Sequence, residues 1–88
     1  MTTFTHTYED AQENIAIITP VAGKKLQISR AFMKVDENGM MTFNGKLLII
    51  LTGKGEGSLS GIAEGNVNDK VFLTCGSNTQ VEVTYNEV

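Results

Sequence analysis

The stretch Lys46-Leu-Leu-Ile-Ile-Leu-Thr52 decides how this chain is read. Asn44-Gly45 stands before it and Gly53-Lys-Gly-Glu-Gly-Ser58 follows, so a short apolar run is bracketed on both sides by turn signals. Five consecutive large aliphatics cannot alternate between core and water. A strand made of them needs the core on one face and a second layer or a second subunit on the other. The run is therefore expected as an inner strand of an antiparallel meander that serves as core and assembly surface at once. Leu48 and Ile50 are the expected oligomer-interface residues.

Working outward, Asn-Gly at 44–45 and again within Asp36-Glu-Asn-Gly39 suits tight hairpins, because both residue types accept positive φ. Between them Met40-Met-Thr-Phe43 reads as a short strand, giving two successive hairpins. Lys24 to Val35 reads as a long strand whose apolar phase changes, with Leu26 and Ile28 in one register and Ala31, Met33 and Val35 in the other. One extra residue near Ser29 to Ala31 would restore a single inward face, which predicts a β-bulge or strong bend there. Ile15 to Thr19 is a β-branched strand stopped by Pro20, the only proline.

Residues 1–14 are polar and threonine-rich and read as an N-terminal arm that adds an edge strand at Thr3 to Tyr8. Thr7 and Asp10 have N-capping spacing for a short helical turn over Glu9 to Glu13. Beyond the apolar run, Gly53 to Gly61 holds four glycines and reads as a flexible loop or a loosely held edge. Ile62-Ala63 pairs briefly, and Glu64 to Asp69 turns. Lys70 to Cys75 forms a strand, Gly76 to Thr79 turns, and Gln80 to Tyr85 alternates cleanly with Val81, Val83 and Tyr85 inward. The fold class is all-β: an antiparallel β-sandwich or jelly-roll-like barrel of six to eight short strands, with residues 15–88 as one domain.

At 88 residues the core is thin, and association is the expected source of further stability. The net charge of -3, with no block of either sign, disfavours binding to nucleic acid through a basic stripe. No apolar run approaches the ~20 residues that span a bilayer, and the N-terminus lacks a basic start followed by an apolar stretch. The expectation is a soluble chain made in the cytoplasm, without a membrane partner. Its single cysteine, Cys75, reads as a buried small hydrophobe.

Chemistry-bearing residues are few. His6 is the only histidine and has no neighbouring Cys or His at zinc-ligand spacing. Asp36-x-Asn38-Gly39 starts like a calcium loop, but Met40 and Leu47 stand where oxygen ligands belong. Gly53-x-Gly55-x-Gly57 is mis-spaced for a phosphate cradle, and no helix follows it. Lys24, Lys25 and Arg30 form the one basic grouping, read as a solvated strand edge or a contact for an acidic partner. Met33, Met40 and Met41 read as core filler or as an adaptable contact surface. No catalytic, metal or cofactor residues are assigned, and no enzymatic activity is expected.

At Val21-Ala-Gly-Lys-Lys-Leu-Gln-Ile28 the chain resembles a group of small virion-associated β-sandwich proteins of tailed bacteriophages. Members open with a short apolar strand, pass an Ala-Val-Ala-Gly-Lys-Lys-like turn into a long alternating strand, carry a later glycine-rich stretch and finish on an alternating strand. The corresponding parts here are Ile15 to Thr19, Val21 to Lys25, Gly53 to Gly65 and Gln80 to Val88. The resemblance implies a non-enzymatic virion component, a capsid decoration (cement) protein or head-fibre base. It would bind the major capsid protein lattice as a symmetric homo-oligomer, a trimer being favoured. Phe4, His6 and Tyr8 in the arm are the expected partner-binding residues. The alternative is a tail or fibre-tip module that recognises a host glycan or protein.

Overall fold

The computed structural model describes the backbone of residues 1–88 and every side chain except that of Ile62. Eight strands follow one another: β1 (Thr2–Tyr8), β2 (Gln12–Ile18), β3 (Leu26–Val35), β4 (Gly39–Phe43), β5 (Lys46–Leu51), β6 (Gly55–Glu64), β7 (Val71–Cys75) and β8 (Thr79–Glu87). They form two four-stranded antiparallel sheets, ordered β1-β8-β3-β6 and β2-β7-β4-β5. The pairs β1·β8, β2·β7, β3·β6 and β4·β5 are the rungs of one long ribbon folded back on itself at β4–β5 and rolled up. The pairings β3·β8 and β4·β7 close each sheet. This is the jelly-roll variety of sandwich.

Period-two alternation builds the core between the sheets. One sheet contributes Leu26, Ile28, Ala31, Met33, Val35, Val81 and Val83, and the other Ile18, Met41, Phe43, Ile49, Val71, Leu73 and Cys75. The phase change expected in the long strand is present. The registers Ile28↔Tyr85 and Arg30↔Thr84 leave Ser29 as an extra residue, so Leu26 and Ile28 face inward together with Ala31, Met33 and Val35. Ser29 turns its hydroxyl to the carbonyl of Thr84, 3.1 Å away. Thr79 is buried and donates its hydroxyl to the carbonyl of Gly76.

Three expectations are corrected and one is narrowed. β3 and β4 do not form a hairpin, because they lie in opposite sheets. Only the second Asn-Gly makes a positive-φ turn, with φ of 54° at Asn44 and 66° at Gly45. Gly39 is instead a close-packing glycine: a Cβ there would lie 2.8 Å from Met33 Sδ and 2.9 Å from Val35 Cγ1. Secondly, β5 is an edge strand, since its sheet ends there. Thirdly, of the two readings of the glycine-rich run the edge is the one present and the flexible loop is not: it is a ten-residue edge strand, β6, laid over β5. Gly57 faces Ile49 and Leu51, where a Cβ would sit 3.3 Å from Ile49 Cγ2. Finally, the Glu9 to Glu13 segment has no helical turn, because β2 begins at Gln12.

The expected arm is part of the sandwich. β1 pairs with β8 from Thr2↔Tyr85 to Tyr8↔Thr79, and the expected boundary at residue 14 falls inside β2. Three connections are tied together at one end of the molecule. Gly76 N donates to Asn38 O, Asn78 N donates to Glu9 O, and Glu37 Oε1 accepts from Ser77 N at 2.7 Å and from Ser77 Oγ at 2.9 Å. These two bonds hold the Glu37 carboxyl below the ordinary glutamate range.

Candidate interaction surfaces

Three of the exposed large apolar residues lie on strands of the β2-β7-β4-β5 sheet, the others, Met1, Val21, Val67 and Val88, standing outside the strands. Leu47 and Ile50 are each 52% exposed and Met40 is 37% exposed. Met40 sits directly between Ile50 on β5 and Thr74 on β7. In the next row Leu47, Thr42, Phe72 and Ala16 run across all four strands of the sheet. Neither β4 nor β7 contains a charged residue. The result is a neutral, pleated surface with a shallow depression of about 290 Å³ between Met40, Ile50, Thr52 and Thr74.

Of the two residues expected at an oligomer interface, Ile50 lies on this surface and Leu48 does not. Register shifts from Met41↔Ile49 to Thr42↔Leu47, leaving Leu48 as the extra residue of a bulge. Leu48 is half-buried and packs against the core, while Leu47 takes the exposed place. Even spacing would put Leu48 and Ile50 on one side of a regular strand, and the bulge breaks that rule. The sequence held no signal for it, because five aliphatics in a row show no phase. Of the three methionines read as core filler or contact surface, Met40 is exposed, whereas Met33 and Met41 are fully buried.

Phe4, His6 and Tyr8 do come together. They occupy alternate positions of β1 on the side of Val83, Val81 and Thr79, so they line the lateral opening of the sandwich. His6 stacks on Phe4 at 6.4 Å between ring centroids and meets the edge of Tyr8 at 4.4 Å. Phe4 and Tyr8 pack against the core and His6 is exposed. Burial raises the Tyr8 phenol above its ordinary value, and the nearby Cys75 thiol adds to the shift. Cys75 itself is 4% exposed.

The outer face of the β1-β8-β3-β6 sheet is polar around one aromatic ring. Phe32 lies between Glu82 and Ser58, and Lys34 lies between Gln80 and Glu56. A depression of about 310 Å³ is lined there by Thr5, Thr7, Phe32, Gln80 and Glu82. The expected basic grouping is dispersed. Arg30 stands on β3, a central strand, while Lys25 pairs with the chain's own Glu64 at 3.2 Å and holds that carboxyl below its ordinary range.

Among the described residues no group of three or more His, Cys, Asp or Glu side chains converges as a metal site. No protein-family model, no curated protein and no solved structure matches this chain.

Proposed function

We propose that this chain is a non-enzymatic structural protein of a virus particle, a capsid decoration protein that binds the major capsid protein lattice and stabilises the head. The observation that carries this reading is the neutral apolar face of Met40, Leu47 and Ile50 on a rigid sandwich. Exposed aliphatics gathered on a sheet face mark a contact surface, and their burial stabilises at about 25 cal/mol per Å² of apolar area. The resemblance of Val21 to Ile28 and of the C-terminal strand to phage virion proteins supports the choice of particle. The jelly-roll fold serves capsid proteins, lectins and cupins alike, so it adds an analogy and no residue roles. Self-association as a homo-oligomer belongs to the same reading.

Co-sedimentation with heads that lack the protein tests it. The full chain is expected to bind at micromolar concentration, and Ile50→Lys is expected to abolish binding while leaving the fold intact. Heads that sediment without it overturn the proposal.

One observation favours a second reading, a tail or fibre-tip recognition module. Phe32, with Glu82 and Gln80 beside it, offers an apolar ring face flanked by hydrogen-bonding groups, the chemistry that holds a sugar ring. A specific, competable hit on a glycan array that disappears in Phe32→Ala would establish this reading in place of the first.

A further inference from the structure

We propose that β1 is a pairing edge for a second copy of this chain, the two β1 strands running antiparallel with Thr5 opposite Thr5 across a two-fold axis. The proposal gives a geometry to the self-association included in the particle reading, holds whether or not the further partner is a capsid, and uses a different part of the molecule from the Ile50 face.

A rolled ribbon of two four-stranded sheets has four edges, here β1, β6, β2 and β5. Unpaired N–H and C=O groups along an edge are a template for another strand, and proteins guard such edges with bulges, charges, proline or brevity. Three edges of this molecule are guarded. β2 has two register shifts, a left-handed residue at Asn14 (φ 46°) and the acid Glu13. β6 has a shift, Gly61 at φ 111°, and acids at Glu56 and Glu64. β5 has only six residues, opens on Lys46 and bulges at Leu48. β1 carries none of these devices. Its seven residues, Thr2-Thr-Phe-Thr-His-Thr-Tyr8, follow β8 in unbroken register without a glycine, proline, lysine or acid. Threonine and aromatic residues are strong strand formers.

A second copy is the occupant that this edge fits. Antiparallel pairing centred on Thr5 sets Thr2 against Tyr8, Thr3 against Thr7 and Phe4 against His6. All seven residues pair, and each side chain meets one on its own face, as strand register requires. The rings of Phe4, His6 and Tyr8 would continue across the seam as one aromatic row. Centring on His6 would pair only residues 4–8 and place two imidazoles face to face. The strand's neutrality also suits self-pairing, since the chain as a whole carries -3. Glu9 and Asp10 follow the end of the strand, far from the axis, and the acid beside Thr5, Glu82, is one strand further in. Its counterpart would be three strand spacings away, about 14 Å, beyond the screening length of physiological salt. The product is a continuous eight-stranded sheet with an isologous interface.

Light-scattering mass of the full chain tests the proposal. The wild type is expected to contain an even number of chains, the simplest being twice 9.5 kDa, about 19 kDa. Thr5→Lys places two ammonium groups at the axis and is expected to halve that mass, with the far-UV circular dichroism preserved and the thermal midpoint no longer rising with protein concentration. Ile50→Lys is expected to leave β1 pairing intact. A monomeric wild type, or a mass unchanged by Thr5→Lys, overturns the proposal. Hydrogen exchange of the unaltered protein gives an answer independent of any variant. Alternate amides of residues 2–8 should gain protection as concentration rises, and concentration-independent exchange overturns the proposal equally.

Discussion

Gly65→Ala is the substitution whose cost the structure defines most closely. Gly65 follows β6 and is held in place by its N–H, which donates to Leu26 O at 3.1 Å. A Cβ there would run into Phe43 Cζ, stand 2.9 Å from Cε1 of the same ring and lie 3.2 Å from Asp69 Cβ. The φ of Gly65 is not among the positive values, so the argument is steric and involves no backbone strain. Phe43 is 3% exposed, and its backbone is fixed between Lys46 and Val71, so the ring has little room to retreat. Overpacking of this kind costs about 1–3 kcal/mol, and two ring carbons inside contact distance argue for the upper end. At about 4–8 °C per kcal/mol for a domain this small, the midpoint should fall by about 12–24 °C. Urea denaturation followed by circular dichroism measures it, with an unchanged m-value showing that the loss is one of stability. Phe43→Leu shortens the obstructing side chain, so in that background the Gly65→Ala cost should drop below about 1 kcal/mol, the signature of coupled neighbours. Gly23→Ala is the control: at φ +84° with nothing within 4 Å, it should cost about 1–2 kcal/mol of backbone strain in both backgrounds. A Gly65→Ala cost under about 0.5 kcal/mol, or one equal in both backgrounds, refutes the reasoning.

Other outcomes follow from the same geometry. Leu48→Ala should destabilise by about 1–2 kcal/mol because its half-buried side chain packs on the core, whereas Ile50→Ser should stay within about 0.5 kcal/mol; thermal melts of the pair check it. The Glu37 carboxyl titrates below its ordinary 4.5 because Ser77 donates two hydrogen bonds to the ionised form. Its stabilisation is therefore fully present above pH 4.5 and is lost as pH falls through the lowered folded value, so Glu37→Gln should lower stability at neutral pH, converge with the wild type in acid and so flatten the acid limb of a stability–pH profile. Cys75 should react with a thiol reagent only as fast as the protein opens, and rapid labelling of native protein would contradict its burial.

What the sequence disclosed and what it withheld divide along a physical line. Strand positions were legible wherever alternation was clean or a turn residue stood at the end, as in β8, β7 and the Pro20 end of β2, and the Ser29 bulge was legible because it shifts the phase of Leu26/Ile28 against Ala31/Met33/Val35. Sheet membership was not, because a hairpin and a crossover between sheets can use the same Asp-Glu-Asn-Gly. The backbone of Asn44-Gly45 turns with positive φ, while Gly39 is needed for its missing Cβ against Met33 and Val35. Two reasons for the same residue type cannot be told apart until the neighbours are known. The same holds for the candidate surfaces: Phe4, His6 and Tyr8 share a face by spacing alone, but which face depends on β8.

The apolar run of β5 joins these threads. Five aliphatics demand cover on both faces, and the cover for Ile49 and Leu51 comes from within the chain, from the glycine-rich strand whose sequence reads as a flexible loop or a loosely held edge. Its inward positions Gly55, Gly57 and Leu59 pair with Val35, Met33 and Ala31 on β3. A side chain is absent at Gly57, where Ile49 and Leu51 of the opposite sheet fill the space. Excess volume on β5 and missing volume on β6 are therefore one feature seen from two sides, as close packing requires. The bulge then divides the run: Ile49 is inward, Leu48 and Leu51 are half-buried, and Leu47 and Ile50 remain uncovered. The demand for an external partner contracts from a whole strand to two residues of β5 together with Met40 of β4. That small area needs either the broad flat surface of a lattice or the added contact of a second interface. A β1 edge would supply that second contact on the other sheet, leaving the Met40–Ile50 face open toward a partner.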